Sequence, residues 1–262
     1  IFPFKKPIVF SVNDQRHRVR DPIHGFIDLT PLEIRIINTK VFQRLRRIKQ
    51  LALAYLVYPG GQHTRFEHSL GTRYIAGRIC SELKNRYGAE ILNEEERQAV
   101  CAAALLHDIG HGPFSHVSEY LLERYRDRDL PTREKIHELI GRDIIANDPE
   151  LKAILGQELQ DRILQLLFAP DKREFSRYII SSDFDADKLD YLLRDAYYCG
   201  VKYGIFDIEK LIEDCRIHRH REESLLALDQ EAIFAFEQML LAKYHMHRQV
   251  YSHRIRRITD RM

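Results

Sequence analysis

Helical periodicity runs through nearly all of this chain, and the residues that interrupt it are strong punctuators, so the sequence reads as a mostly α fold with a few short strands. Thr30-Pro31-Leu32-Glu33 is a capping box with proline at the first helical position, opening a helix that carries Ile34, Ile36 and Ile37. A second helix is expected from Phe42 to about Gln50. After the loop Tyr58-Pro-Gly-Gly-Gln-His-Thr64, apolar residues Leu70, Tyr74, Ile75, Ile79 and Leu83 recur at helical spacing until Gly88. Asn93-Glu-Glu-Glu96 starts the next helix, its carboxylates matched to the positive end of the dipole, and that helix runs to His107. Further helices are expected over 115–129, 133–147, 158–168, 173–182, 185–198 and 207–214. Strand signals are confined to Ile8–Val12, Phe26–Leu29 and a hairpin of Cys215–His218 with Leu225–Leu228. Asp229 to Met262 is one long helical pattern that stops without a cap, so the natural protein is expected to continue past residue 262.

With 262 residues, 44% hydrophobic and 31% charged, the chain can bury one large core, and a single domain over 1–262 is expected. A formal charge of +2 makes no demand for a polyanionic partner. Arg44, Arg46, Arg47 and Lys49 nevertheless cluster, as do Lys243, Arg248, Arg254, Arg256, Arg257 and Arg261, each group being either a solvated helix face or a phosphate-binding surface. Cys80, Cys101, Cys199 and Cys215 make no C-x-x-C pair and read as reduced thiols. No apolar run approaches the ~20 residues that span a bilayer. The opening residues are too short and interrupted for a signal peptide, so a cytoplasmic protein without a membrane partner is expected. Thirteen histidines exceed what a core needs and direct attention to metal or acid–base chemistry.

Gly110, Gly112 and Pro113 break the Ala- and Leu-rich helix directly after His107-Asp108, which sets a polar pair at a helix terminus. A lone histidine in a helix is ordinarily a satisfied core or surface residue. Here three imidazoles follow one another beside apolar surface in His107-Asp-Ile-Gly-His111-Gly-Pro-Phe-Ser-His116, and coordination would supply the reason. His68, His107, Asp108 and Asp187 together offer neutral nitrogens and carboxylate oxygens, a set suited to a divalent ion (Mn, Fe, Mg, Ni or Zn) with positions left open for water. Asp187 has a competing reading as a helix-start carboxylate, a role Asp183 or Asp185 could also fill. Asp187, Tyr191 and Asp195 recur every four residues and would line one wall of a pocket, whereas Asp190 and Arg194 fit a polar stripe facing water.

The ordered series Asp21-Pro-Ile-His-Gly, Phe42-Gln-Arg-Leu-Arg, Arg65-Phe-Glu-His-Ser-Leu-Gly, the His107–His116 segment and Asp187-Lys-Leu-Asp-Tyr resembles the HD-domain superfamily, in particular its dNTP triphosphohydrolase branch, over about Asp21 to the end. That resemblance implies an HD-domain helical fold with short β-hairpins, His68, His107, Asp108 and Asp187 as metal ligands, and His111, His116 and His137 around the scissile phosphate, with Glu119 orienting His116. It implies phosphate contacts from Arg65 and Lys188, and from Lys243 where the vertebrate members carry arginine, a change that keeps charge but loses the bidentate fork. Gln50, Leu51, Asp195 and Tyr251 match sugar-contacting positions, beside Tyr191. A homo-oligomer is also implied, together with a regulatory guanine site matched by Gln43 and Arg46. At Asn38 the vertebrate members carry aspartate, which accepts from both guanine N–H groups, whereas an amide presents a donor to a donor. Asn38 also has the plain reading of a helix C-terminal cap.

The implied reaction is attack of water on the α-phosphorus of a dNTP, with His116 as general acid for the 5′ oxygen and Lys188 and Arg65 offsetting the growing charge. Two other readings remain open. One is an HD phosphohydrolase acting on another ester, a nucleoside monophosphate or a phosphodiester. The other is a nucleic-acid-binding protein with a vestigial site, which the complete ligand set and the lack of an aromatic-interleaved basic stripe disfavour.

Overall fold

The computed structural model describes residues 17–115, 118, 122–123, 135–169, 174–221 and 223–259. The fold is mostly helical with two antiparallel strand pairs, as expected. Strands β1 (His17–Asp21) and β2 (Gly25–Leu29) form a hairpin in which Val19 faces Ile27. The sequence had shown only the second of these strands, and the expected strand Ile8–Val12 lies outside the described residues. Helix α1 (Pro31–Ile37) opens with the full capping box: Thr30 Oγ1 accepts from Glu33 N–H, and Glu33 Oε2 accepts from Thr30 N–H at 2.8 Å. Asn38 caps its C-terminus, donating its backbone N–H to Ile34 O.

The helix expected from Phe42 to Gln50 is cut short. Regular α geometry in α2 covers only Lys40–Gln43, a 3-10 turn follows over Arg44–Arg47, and Lys49 then bridges Thr64 as a short strand. Tertiary partners explain this, because Gln50 N–H donates to His63 O at 3.0 Å and Arg65 N–H to Ile48 O at 2.9 Å. Those bonds compete with the next helical turn and win.

Two helices form the centre. Helix α3 (Arg65–Tyr87) carries a Thr64–Glu67 capping box and ends at Gly88, whose φ of 85° suits glycine. Helix α4 (Glu94–Leu106) is capped by Asn93 and buries every residue from Ala99 to Leu106. An element with no polar face has to be surrounded, and α4 is: it packs on α3, on α6 (Pro149–Phe168) and on α7 (Phe175–Ile180). Helix α5 is Ile136–Asn147. The expected helix over 158–168 begins earlier than read, at Pro149 behind an Asp148 cap, and kinks at Gly156 with φ 68°. The helix expected over 115–129 falls almost wholly outside the described residues.

Helix α8 (Ala186–Cys199) lies against α3, and α9 (Ile208–Glu213) leads into the hairpin β3 (Cys215–His220) and β4 (Glu223–Leu228). The long helix expected beyond Asp229 is broken. Helix α10 covers Ile233–Met246, a π turn follows over His247–Tyr251, and α11 is Arg254–Thr259. No helix among the described residues is long and apolar enough to cross a membrane.

One buried ion pair ties the hairpin and α1 to α3. Arg73 Nε donates to Glu33 Oε1 at 2.6 Å and its Nη1 to Asp28 O at 2.9 Å, with both side chains nearly excluded from water. Removing one charge from such a pair strands the other. We therefore expect Glu33→Gln to cost about 3–5 kcal/mol of folding stability, measured by urea denaturation in EDTA; a loss below ~1 kcal/mol would show the pair to be dispensable.

Candidate metal centre and its cleft

His68 projects from the first turn of α3, His107 and Asp108 follow the last turn of α4, and Asp187 sits in the first turn of α8. Gly110, Gly112 and Pro113 end α4 here as expected. Gly110 has no room for a side chain, since a Cβ there would overlap His137 O and Gly141 N on α5. Asp185, not Asp187, caps α8: its carboxylate accepts from Lys188 N–H at 2.7 Å and Ser182 N–H at 2.8 Å. The competing capping role is thus filled by a neighbour, and Asp187 is left to face the histidines.

His68 and His107 lie edge to face, with their Nε2 atoms 3.2 Å apart. His68 Nδ1 is 2.8 Å from Asp190 Oδ2, and an ionised carboxylate only accepts, so Nδ1 carries the proton. His107 Nδ1 donates to Ala104 O at 2.8 Å by the same logic. In the neutral rings both Nε2 atoms are therefore lone pairs pointing at one another, an arrangement that a proton or a metal ion between them relieves. Asp187 Oδ1 is 3.0 Å from His68 Nε2 and 3.7 Å from His107 Nε2, and Asp108 Oδ1 is 3.5 Å from His107 Nε2. Donor atoms of His68, His107 and Asp108 all fall within 4.8 Å of one another.

Charge balance makes the same demand. Asp108, Asp187 and Asp190 bring carboxylate oxygens within 3.7 Å of the ring nitrogens, while Arg65 pairs with Asp108, Arg194 with Asp190 and Asp21, and Lys188, held by Asp185, acts on Asp187 from the side. The carboxylates at the rings outnumber the guanidiniums paired with them, which favours a cation between the rings. Against the cost of burial, Asp187 and Asp190 push His68 up to about 10, and burial notwithstanding, His107 and His68 hold Asp187 far below the usual carboxylate range. The donor set and its charge fit a divalent metal ion.

A cleft of about 490 Å³ opens above this cluster, lined by Gln50, Leu51, Arg65, Asp108, His111, His137, Asp187, Tyr191, Asp195 and Tyr251 among the residues singled out from sequence. Asp187, Tyr191 and Asp195 share a wall. Arg65 is fixed by Asp108 and by Ser115 Oγ, which accepts from its Nε at 2.9 Å. Ser115 and Phe114 both take positive φ, 50° and 64°, a strained loop that sets this contact. His111 and His137 stack with centroids 4.0 Å apart. Asp195 accepts from His63 Nε2 and from the Tyr251 hydroxyl, each at 2.7 Å. The buried Gln50 Oε1 has no partner among the described residues, so a ligand hydroxyl would be its natural donor.

Other placements differ from expectation. Lys188 Nζ is bound to Asp185 at 2.8 Å, and neither Lys188 nor Lys243 lines the cleft; Lys135, His247 and Arg256 do, and the sequence had not assigned them there. The π turn brings His247 and Tyr251 to the cleft, but nothing local in the sequence announces it. Arg44 is half-buried, and its guanidinium donates to the carbonyls of Ile109 and His111, on either side of Gly110. Asp190 and Arg194 do not face water. Both are fully buried, because their partners come from the distant hairpin and from α3. His116 and Glu119 lie outside the described residues.

Asn38, Gln43 and Arg46 meet at a second cavity of about 440 Å³, together with Val19, Arg20 and Asp21 of the hairpin. Gln43 is already engaged, its Nε2 donating to Ile37 O and its Oε1 accepting from Arg46 Nε, both at 2.8 Å.

Comparison with known proteins follows this geometry. A profile of the HD domain matches residues 65–195 and one of an HD-associated region matches 206–262. The uncharacterized protein YwfO of Bacillus subtilis is 37% identical over 245 residues, covering 92% of this chain and 53% of that protein. Human deoxynucleoside triphosphate triphosphohydrolase SAMHD1 is 31% identical over 269 residues, covering 93% and 43%. A crystal structure of a hypothetical protein from Aquifex aeolicus aligns with a TM-score of 0.78 at 38% identity, over 93% of this chain and 62% of that one. The chain spans about half the length of the curated relatives it matches. The HD-domain match begins at Arg65 and ends at Asp195, two residues of the cleft itself, and takes in half of the sequence: this chain belongs to the HD-domain family.

Proposed function

We propose that this chain is the hydrolytic core of a metal-dependent phosphohydrolase that cleaves deoxynucleoside triphosphates to deoxynucleoside and inorganic triphosphate. The observation that carries the reading is the pair of imidazole Nε2 atoms facing each other among the carboxylates of Asp108 and Asp187, at the floor of a cleft of ordinary ligand size. The name of the human relative supplies the substrate class.

His68, His107, Asp108 and Asp187 would hold the ion, which supplies Lewis acidity towards water and phosphoryl oxygen. Arg65, locked by Ser115 and Asp108, presents a preorganised guanidinium for charge that grows on the phosphates. Arg256 and Lys135 add positive charge along the cleft, where Lys188 and Lys243 had been expected to supply it. Water would bond to the α-phosphorus as the bond to O5′ breaks, and the leaving alkoxide needs a proton. His116 is the proposed donor, oriented by Glu119, with His111 and His137 flanking the phosphate. Gln50, Asp195 and Tyr191 would take the sugar hydroxyl and ring, with Leu51 and Tyr251 beneath C2′.

Three outcomes test this reading. Incubation with dNTPs, NTPs and monophosphates under several divalent metals should release inorganic triphosphate from dNTPs. Asp187→Ala should abolish both bound metal and that release; full activity in a metal-free variant would sink the assignment. The second outcome concerns the sugar. Leu51 is buried and offers no polar atom, and the Tyr251 hydroxyl is already bonded to Asp195, so a 2′-hydroxyl placed over Leu51 would be desolvated against an apolar side chain. Such burial costs roughly 1–3 kcal/mol, so deoxynucleotides should be preferred by ~5-fold to 150-fold; equal kcat/KM for dATP and ATP would contradict it.

The third concerns regulation. Asn38 presents an amide where guanine wants a carboxylate, and Gln43 has both its amide atoms occupied. Losing a charge-assisted bond costs about 1–3 kcal/mol, as much as a typical coupling energy. GTP is therefore expected not to stimulate this protein. Initial dNTPase rates with and without GTP, paired with light scattering for assembly, test it, and a large stimulation removed by Asn38→Ala would refute it.

A further inference from the structure

The hairpin motif Asp21-Pro-Ile-His24-Gly has no part in the proposed chemistry, yet its two polar side chains are wired to the metal cluster. Asp21 Oδ1 accepts the backbone N–H groups of Ile23 and His24, each at 2.9 Å, which shapes the turn and aims the His24 ring inward. Asp21 Oδ2 accepts from Arg194 Nη1 at 2.8 Å. His24, stacked on Tyr74 with centroids 5.0 Å apart, places Nε2 at 2.6 Å from Asp190 Oδ1. Arg194 grips the same carboxylate with two parallel bonds, Nε to Oδ2 at 2.8 Å and Nη2 to Oδ1 at 2.9 Å. The remaining bond of Asp190 is the one to His68 Nδ1 at 2.8 Å.

Asp190 thus accepts four hydrogen bonds while wholly excluded from water, which uses the full acceptor capacity of a carboxylate. Three of the four fix its position, and the fourth fixes the His68 ring and its tautomer. The space for this exists because residue 71, three places after His68 on α3, is glycine: a Cβ there would overlap Asp190 Oδ1 and Arg194 Nη2. A carboxylate at that depth costs stability unless fully satisfied, and an ordinary core would use an apolar residue.

We propose that Asp190 and His24 are positioning residues of the metal centre, with Asp21 and Arg194 as their supports: they hold His68 with its proton on Nδ1, so that Nε2 is permanently available to a metal ion. The proposal rests on the metal-binding part of the function proposed above. In the Asp190→Asn variant an amide N–H competes for the place of an acceptor and favours the ring tautomer whose proton sits on Nε2, where the ion would bind. In His24→Phe the stack on Tyr74 survives but one anchor of the carboxylate is lost, and His24→Gln restores a donor.

The test is titration of the EDTA-stripped protein with Mn²⁺ by calorimetry, alongside thermal melting of the stripped protein. Asp190→Asn should raise the Mn²⁺ dissociation constant ~10–100-fold, the usual effect of losing a residue that orients a ligand. His24→Phe should raise it by less, and His24→Gln should return it towards wild type. If both Asp190→Asn and His24→Phe bind Mn²⁺ as wild type does and only the melting temperature of the stripped protein falls, the network is merely structural and the proposal is overturned. Should Asp190→Asn not fold, the His24 pair decides alone by the same criterion. Wild-type protein that takes up no Mn²⁺ or other divalent ion overturns the metal centre itself, a separate failure from equal binding by wild type and variants.

Discussion

Two lone pairs brought to 3.2 Å of each other repel, and the rest of this molecule is arranged so that the rings of His68 and His107 cannot turn away from that encounter. Each ring is held from behind by a bond at Nδ1, one to a side-chain carboxylate and one to a helix carbonyl. The cost of the arrangement is borne by the fold, whose buried carboxylates outnumber their guanidinium partners around it. A cation is the term that makes the balance favourable, so the ion and the fold are linked: whatever binds there also stabilises the native state.

The helices supply the rigidity that such a site needs. Helix α4, apolar on every face from Ala99 to Leu106, cannot shift without exposing its surface, and it delivers His107 and Asp108 at its end. Helix α3 delivers His68 from its first turn, and α8 delivers Asp187, Asp190 and Arg194 from successive turns. The turn directly after α4 is drawn in by Arg44, which binds carbonyls on both sides of Gly110, and by the absence of a side chain on that glycine. Helical elements fixed by packing thus carry the ligands, and strained loop residues such as Ser115 tune what surrounds them.

Helix starts were legible in the sequence because their signals are local: Thr30 with Glu33, Asn93 with its following glutamates, and Gly88 as a terminator all act within a few residues. The cluster of His68, His107, Asp108 and Asp187 was legible because a His-Asp pair at a glycine-broken helix end has few structural reasons to exist. What could not be read depended on distant partners. Asp190 and Arg194 look like a solvent-facing i,i+4 pair until Asp21 and His24, some 170 residues away, are brought against them. Arg44 looks like part of a basic surface until the loop after α4 arrives. The helix expected past Phe42 was lost to backbone bonds with His63 and Arg65, which no local propensity reports.

The π turn at His247–Tyr251 gives the last helical segment a consequence of its own. A π turn holds one residue more than the regular winding around it, and here it also ends the helix, since Ser252 and His253 leave helical geometry before α11 begins at Arg254. His247 and Tyr251 at the two ends of the turn, and Arg256 beyond it, all line the cleft. Chain length across this short stretch therefore bears on the cleft as directly as residue identity: a deletion inside the turn would change the register at which His247 and Tyr251 meet the cleft, even if both side chains were kept.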